Sequence, residues 1–153
     1  MGEQTRIDNQ NKISGPKNYK EFVPVFTMKD RATMVVKHTL DITDDLTIGY
    51  HTTLAGVGTQ IWTHAFYKAA TRSAKVLGKV EIGSNCYIGA GVVICAGVKI
   101  ADNVAVGANA TVSKDLTKAG LYVSQPLRYI EYDAEKKIES LGEPTEDGVY
   151  RKK

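Results

Sequence analysis

Three histidines, His38, His51 and His64, are the side chains here best suited to move a proton near neutral pH. A neutral imidazole can take the proton from a hydroxyl as that oxygen attacks an acyl carbonyl. His64 stands in IWTHAF, between Trp62 and Tyr67. Aromatic rings beside a base either stack on a ligand or simply pack. Glycine, asparagine and, less readily, histidine accept the positive φ of tight corners, so His51 in IGYHTT also reads as a corner residue. Lys114 and Arg128 are cations suited to phosphate. They also read as a solvated corner charge and as an aliphatic stem covering apolar surface.

What must position these groups is a six-residue beat running unbroken from Val76 to Leu116: VLGKVE, IGSNCY, IGAGVV, ICAGVK, IADNVA, VGANAT, VSKDLT. First positions are branched aliphatics, and fifth positions are small or apolar. Six is a multiple of the strand period of two, so both positions face the same way. Position four carries Asn85, Gly91, Gly97, Asn103, Asn109 and Asp115, residue types that most readily take positive φ. The pattern predicts short strands joined by corners and stacked into an all-β solenoid with turns of about 18 residues.

This pattern resembles the hexapeptide-repeat acyltransferases, and in particular sugar O-acetyltransferases. The resemblance implies a left-handed parallel β-helix of roughly five turns, an exception to right-handed crossovers. It implies a homotrimer with active sites in the grooves between subunits. His64, just ahead of an excursion loop, matches the family's general base. The closing stretch GANATVSKDLTKAGLYVSQPLRYI resembles the family's acetyl-CoA site. It points to Ala90 and Ala108 as backbone contacts, Ser113 and Lys114 near the nucleotide, and Arg128 for phosphate. Trp62 and Tyr67 become the substrate-binding candidates. Ser124-Gln125-Pro126-Leu127 replaces the family's smaller Gly-x-Pro-Ala, and Tyr87 stands where the family often has Trp. The carboxylate that would orient His64 is not named by any spacing; Asp44, Asp45 and Glu81 are possible.

The expected reaction is acetyl transfer from acetyl-CoA to a hydroxyl of a sugar or polysaccharide precursor. Three rivals stand beside it: N-acetylation of a nucleotide-linked amino sugar, acetylation of an antibiotic, and a non-catalytic trimeric scaffold. Some hexapeptide solenoids bind zinc through three histidines, but His38, His51 and His64 are 13 apart, whereas stacking needs about 18. No metal is expected.

The 153 residues suggest a single domain, and a formal charge of +3 with no basic run gives no sign of nucleic-acid binding. No apolar run approaches a membrane span and no signal-peptide pattern opens the chain, so the cytoplasm is the expected location. Cys86 and Cys95 fall on beat positions and read as structural thiols.

Residues 1–20 are polar and read as an arm or frayed terminus. The regular coil is expected over about 36–130, with VKHTLD and ITDDLT placing Val36 and Ile42 at first positions. Gln60-Ile61 slips the phase by one, as a bulge would. Residues 65–75 read as a loop leaving the coil. Residues 131–153 read as a short helix ending at Gly142, then a tail.

Overall fold

The computed structural model describes residues 1–16, 20, 22–124 and 133–151. Its strands wind into a three-faced parallel β-helix. The first face stacks β1 (Arg6–Ile7), β4 (Thr33–Val36), β7 (Thr53–Val57), β12 (Tyr87–Ile88), β15 (Val104–Val106) and β17 (Gly120–Tyr122). The second stacks β2 (Lys12–Ser14), β5 (Thr39–Asp41), β8 (Gln60–Ile61), β13 (Val93–Ile94) and β16 (Thr111–Val112). The third stacks β3 (Phe26–Met28), β6 (Leu46–Ile48), β11 (Val80–Ile82) and β14 (Lys99–Ile100), and Leu116 bridges onto Ile100.

Each face carries one in-register aliphatic column. On the second face Ile13, Leu40, Ile61, Ile94 and Val112 lie one above another. On the third, Met28, Ile48, Ile82, Ile100 and Leu116 do the same. Fifth positions fill the space between, from Leu46 and Val80 through Cys86, Val92, Val98 and Val104 to Ala110, all buried in one cluster. The corners behave as the residue types require: φ is +51° at His51, +55° at Asn85, +67° at Gly91, +81° at Gly97, +59° at Asn103 and +57° at Asn109. Asp115 is not among the positive-φ residues; its carboxylate accepts the Lys99 N–H at 2.8 Å.

Four expectations change. The N-terminal residues are not an arm: β1 and β2 form the lowest turn, stacked on β4 and β5. The Asn11 side chain ties them down, donating to Val35 O (2.6 Å) and accepting from the His38 N–H (2.8 Å). The frame over 36–47 is also different. Leu40, not Ile42, occupies the first-position column, so Leu40 to Ile48 spans eight residues and the corner between them is enlarged. One further residue is absorbed where Val57 sits between Gly56 (φ +65°) and Gly58 (φ +77°).

The excursion is a β-hairpin rather than a loop. β9 (His64–Lys68) pairs antiparallel with β10 (Ser73–Leu77), which takes Val76 out of the coil's beat. The tail is likewise structured. β18 (Val149–Arg151) pairs parallel with β10, and α1 (Ala134–Glu139) packs on β9. A lone two-stranded hairpin is marginal in water; a third strand and a helix give it a core. Ala74, Val76, Ile138 and Val149 are buried there, and Arg72 Nε meets Glu135 Oε2 at 2.7 Å. Among the described residues no helix is long and apolar enough to cross a membrane.

His38 fills a fifth position on the second face and is fully buried. Its Nδ1 accepts the Thr59 N–H at 3.1 Å, so the ring is held neutral. Burial pushes its pKa below the ordinary 6.5. The unfolded chain therefore binds this proton first, and stability is lost as pH falls below about 6.5. Urea melts from pH 7.5 to 5 are expected to show that loss and a shallower slope for His38→Gln. Ile138→Asp is expected to speed amide exchange in β9 and β10 while leaving the exchange of β13 and β15 unchanged.

Candidate functional site

His64 opens β9, at the corner where the chain leaves the second face. Its Nδ1 lies 2.8 Å from Asp41 Oδ2. A carboxylate only accepts, so Nδ1 carries the proton and Nε2 presents its lone pair. The imidazole is one-fifth exposed and Asp41 nearly buried, at 20% and 8% of their side-chain surfaces. Among the described residues no hydrogen bond to Nε2 occurs.

Asp41 ends β5, one turn below, at the start of the enlarged corner. Its Oδ1 accepts from Thr43 Oγ1 (2.6 Å), and its Oδ2 accepts from the Thr63 N–H (3.1 Å) and hydroxyl (2.9 Å). Thr63 Oγ1 in turn accepts the Asp44 N–H at 2.9 Å. Burial alone would push the Asp41 carboxyl up; hydrogen bonds from Thr43, His64 and Thr63 outweigh it and hold the group below the ordinary carboxylate range. Sequence spacing missed Asp41. It sits 23 residues before His64 because the turn between them carries three extra residues, two in the enlarged corner and one at Val57, which stack Asp41 under Trp62, and His64 lies two positions further along the corner. Asp45 accepts the Val25 N–H, and Glu81 pairs with Lys79 and Lys99.

Two aromatic rings flank the imidazole. Trp62 lies edge-on at 6.1 Å and 84°, its indole N–H given to Gln60 Oε1 at 3.2 Å. The second ring is Phe66, edge-on at 5.6 Å and 89°. Tyr67 is not brought to His64: strand alternation places it on the other side of β9, with the Lys137 ammonium 5.7 Å from its ring. Phe66 was missed, although a strand read at period two places positions 64 and 66 together. Lys75, paired with Phe66 across the hairpin, lies on that same side.

The donor-site candidates divide between two corners. Ser113 and Lys114 are exposed on the His64 side, where Trp62, Cys95 and Ser113 follow one another up a single column. The rungs carrying Trp62 and Ser113 are thus two steps, about 10 Å, apart. Ala90 and Ala108 lie at the opposite edge of the second face; Ala90 O accepts the Asn109 N–H at 2.8 Å. Arg128 lies outside the described residues. Beside Ser113 and Lys114 a cavity of about 690 Å³ opens, lined also by Val112, Leu121, Tyr122 and Ser124.

The three histidines do not converge. His38 is in the core, and His51 sits on another corner with its Nδ1 3.3 Å from Asn85 Oδ1. No group of three or more His, Cys, Asp or Glu side chains gathers among the described residues. Cys86 is buried and Cys95 half-buried, both unbridged.

The bacterial transferase hexapeptide (six repeats) family matches residues 79–114. Comparison with curated proteins finds no match. Among solved structures, a hexapeptide-repeat-containing acetyltransferase from Vibrio cholerae superposes with a TM-score of 0.70 at 21% identity, over 86% of this chain and 72% of that one. The same acetyltransferase complexed with acetyl-coenzyme A, from Vibrio cholerae O1 biovar eltor, gives 0.70 and 21%, over 84% and 67%. The polysialic acid O-acetyltransferase OatWY gives 0.66 and 19%, over 84% of this chain and 60% of its own length. At these identities the likeness is one of fold. With the repeat matched in sequence over residues 79–114 and the stacked rungs matched in space, the chain carries a hexapeptide repeat and is built as a left-handed parallel β-helix.

Proposed function

We propose that this protein is an acetyl-CoA-dependent O-acetyltransferase acting on a sugar hydroxyl, with His64 as general base and Asp41 as its positioning residue. The observation that carries the reading is the Asp41–His64 pair, which fixes the tautomer and leaves Nε2 able to accept a proton. Nε2 takes the proton of the acceptor hydroxyl as its oxygen bonds to the thioester carbonyl carbon. The tetrahedral intermediate then collapses, the C–S bond breaks, and the coenzyme A thiolate recovers the proton from the imidazolium. A backbone N–H would hold the oxyanion. The thioester is already activated, so no acyl-enzyme is required. The buried, ionised Asp41 stabilises the transient imidazolium.

Two relatives support the donor and acceptor classes: the Vibrio cholerae acetyltransferase is complexed with acetyl-coenzyme A, and OatWY acts on polysialic acid. The two donor corners fit a homotrimer. A groove between copies would set the His64, Ser113 and Lys114 column of one subunit beside the Ala90 and Ala108 column of its neighbour. Arg128 would complete the phosphate contacts. We assign the protein to the cytoplasm, where acetyl-CoA is at hand.

His64→Ala is expected to lower turnover by about a hundredfold or more while acetyl-CoA still binds by calorimetry. Near-normal turnover would remove the assignment. Asp41→Asn is expected to lower kcat by at least about tenfold with little change in acceptor KM, because the amide can hold the wrong tautomer. Screening hydroxyl against amine acceptors separates this reading from N-acetylation.

A further inference from the structure

We infer that Phe66 and Trp62 form an aromatic platform for the apolar face of a pyranose ring, so that the acceptor is a cyclic carbohydrate rather than an acyclic polyol or a simple amine. This rests on the acyl-transfer reading for what the bound ring then undergoes, but the platform itself is argued from the rings. Phe66 is 61% exposed, whereas its strand neighbours Ala65 and Tyr67 are half-buried. Alternation along β9 sends Ala65 and Tyr67 to the other side and leaves Phe66 on the side of His64. Phenylalanine has no hydrogen-bonding group, so all it can offer a ligand is apolar area and a π face. Trp62 has already given its indole N–H to Gln60, so it too presents ring and no donor.

Both rings stand nearly perpendicular to the imidazole, at 89° and 84°, and on either side of it in sequence. A pyranose has the complementary form: C–H bonds make one apolar face, and hydroxyls radiate from the edge. Laid on such a ring, it keeps an edge hydroxyl toward Nε2. An acyclic polyol of equal hydroxyl count has no fixed face to offer. Lys75, opposite Phe66, gives the same side a cationic edge.

Trp62 is the chain's sole tryptophan and supplies a readout independent of turnover. Its emission would be followed while methyl gluco-, galacto- and mannopyranosides, maltotriose and D-glucitol are titrated into the full chain. At least one cyclic sugar is expected to shift the emission, with glucitol silent. Phe66→Ala should weaken that sugar by about three- to tenfold, seen in its dissociation constant and in KM more than kcat. Phe66→Tyr should restore affinity to within about twofold. Circular dichroism melts verify that both variants fold. Three outcomes overturn the platform: equal affinity in Phe66→Ala, glucitol binding as well as the cyclic sugars, or a changed sedimentation coefficient in Phe66→Ala with affinity unmoved, which would make the ring a subunit contact. A cyclic sugar that binds through Phe66 yet is never acetylated would remove the transfer reading and keep the platform. Acetylation of a sugar hydroxyl with affinity and KM unmoved in Phe66→Ala would do the reverse.

Discussion

Every rung of this coil must sit in register on the rung beneath, because each backbone N–H and C=O on a face finds its partner there. That requirement fixes the perimeter of a turn at three strands and three corners. Spare residues cannot be spread along the strands. They must collect at a corner, as between Leu40 and Ile48, or leave the coil, as the hairpin does. The Asp41–His64 pair lies where both solutions meet. The enlarged corner supplies Asp41 and Thr43 from below, and the corner above supplies Thr63 and His64 just as the chain departs.

The same crowding explains how a carboxylate is kept charged under so little water. Taking an ion out of solvent is costly unless its lone pairs are met. Asp41 has four donors converging on its two oxygens, one of them the imidazole. Thr63 is central because its hydroxyl gives to Asp41 and receives from the Asp44 N–H, linking the two turns through one oxygen. A rigid carboxylate means a rigid ring, since among the described residues Asp41 is the one acceptor that Nδ1 meets.

The solenoid was legible because its physics repeats: one aliphatic, one small residue and one positive-φ corner, turn after turn. Those signals located Ile88, Val92 and Asn109 in space from their place in the beat alone. What repeats weakly was misread. Ile7 and Ile13 are two anchors in a polar stretch, too few to suggest a turn. Ile42 imitates a first-position residue, but Leu40 holds the column. Asp41 was out of reach for the same reason: three added residues moved it off the regular stacking interval. Phe66 needed only the period-two reading that a hairpin allows. Whether 65–75 was hairpin or loop was hidden, since the strand and helix that cover it arrive some sixty residues later in the chain.

A pile of storeys held only by its nearest neighbours comes apart from the tips inward, each storey melting when the one outside it is gone. Among the described residues two storeys lie below that of His64 and at least two above it, so at least two must be shed from either end before its floor is exposed. The Asp41–His64 pair, seated mid-column, outlasts fraying that would already have erased anything built at the top or the base.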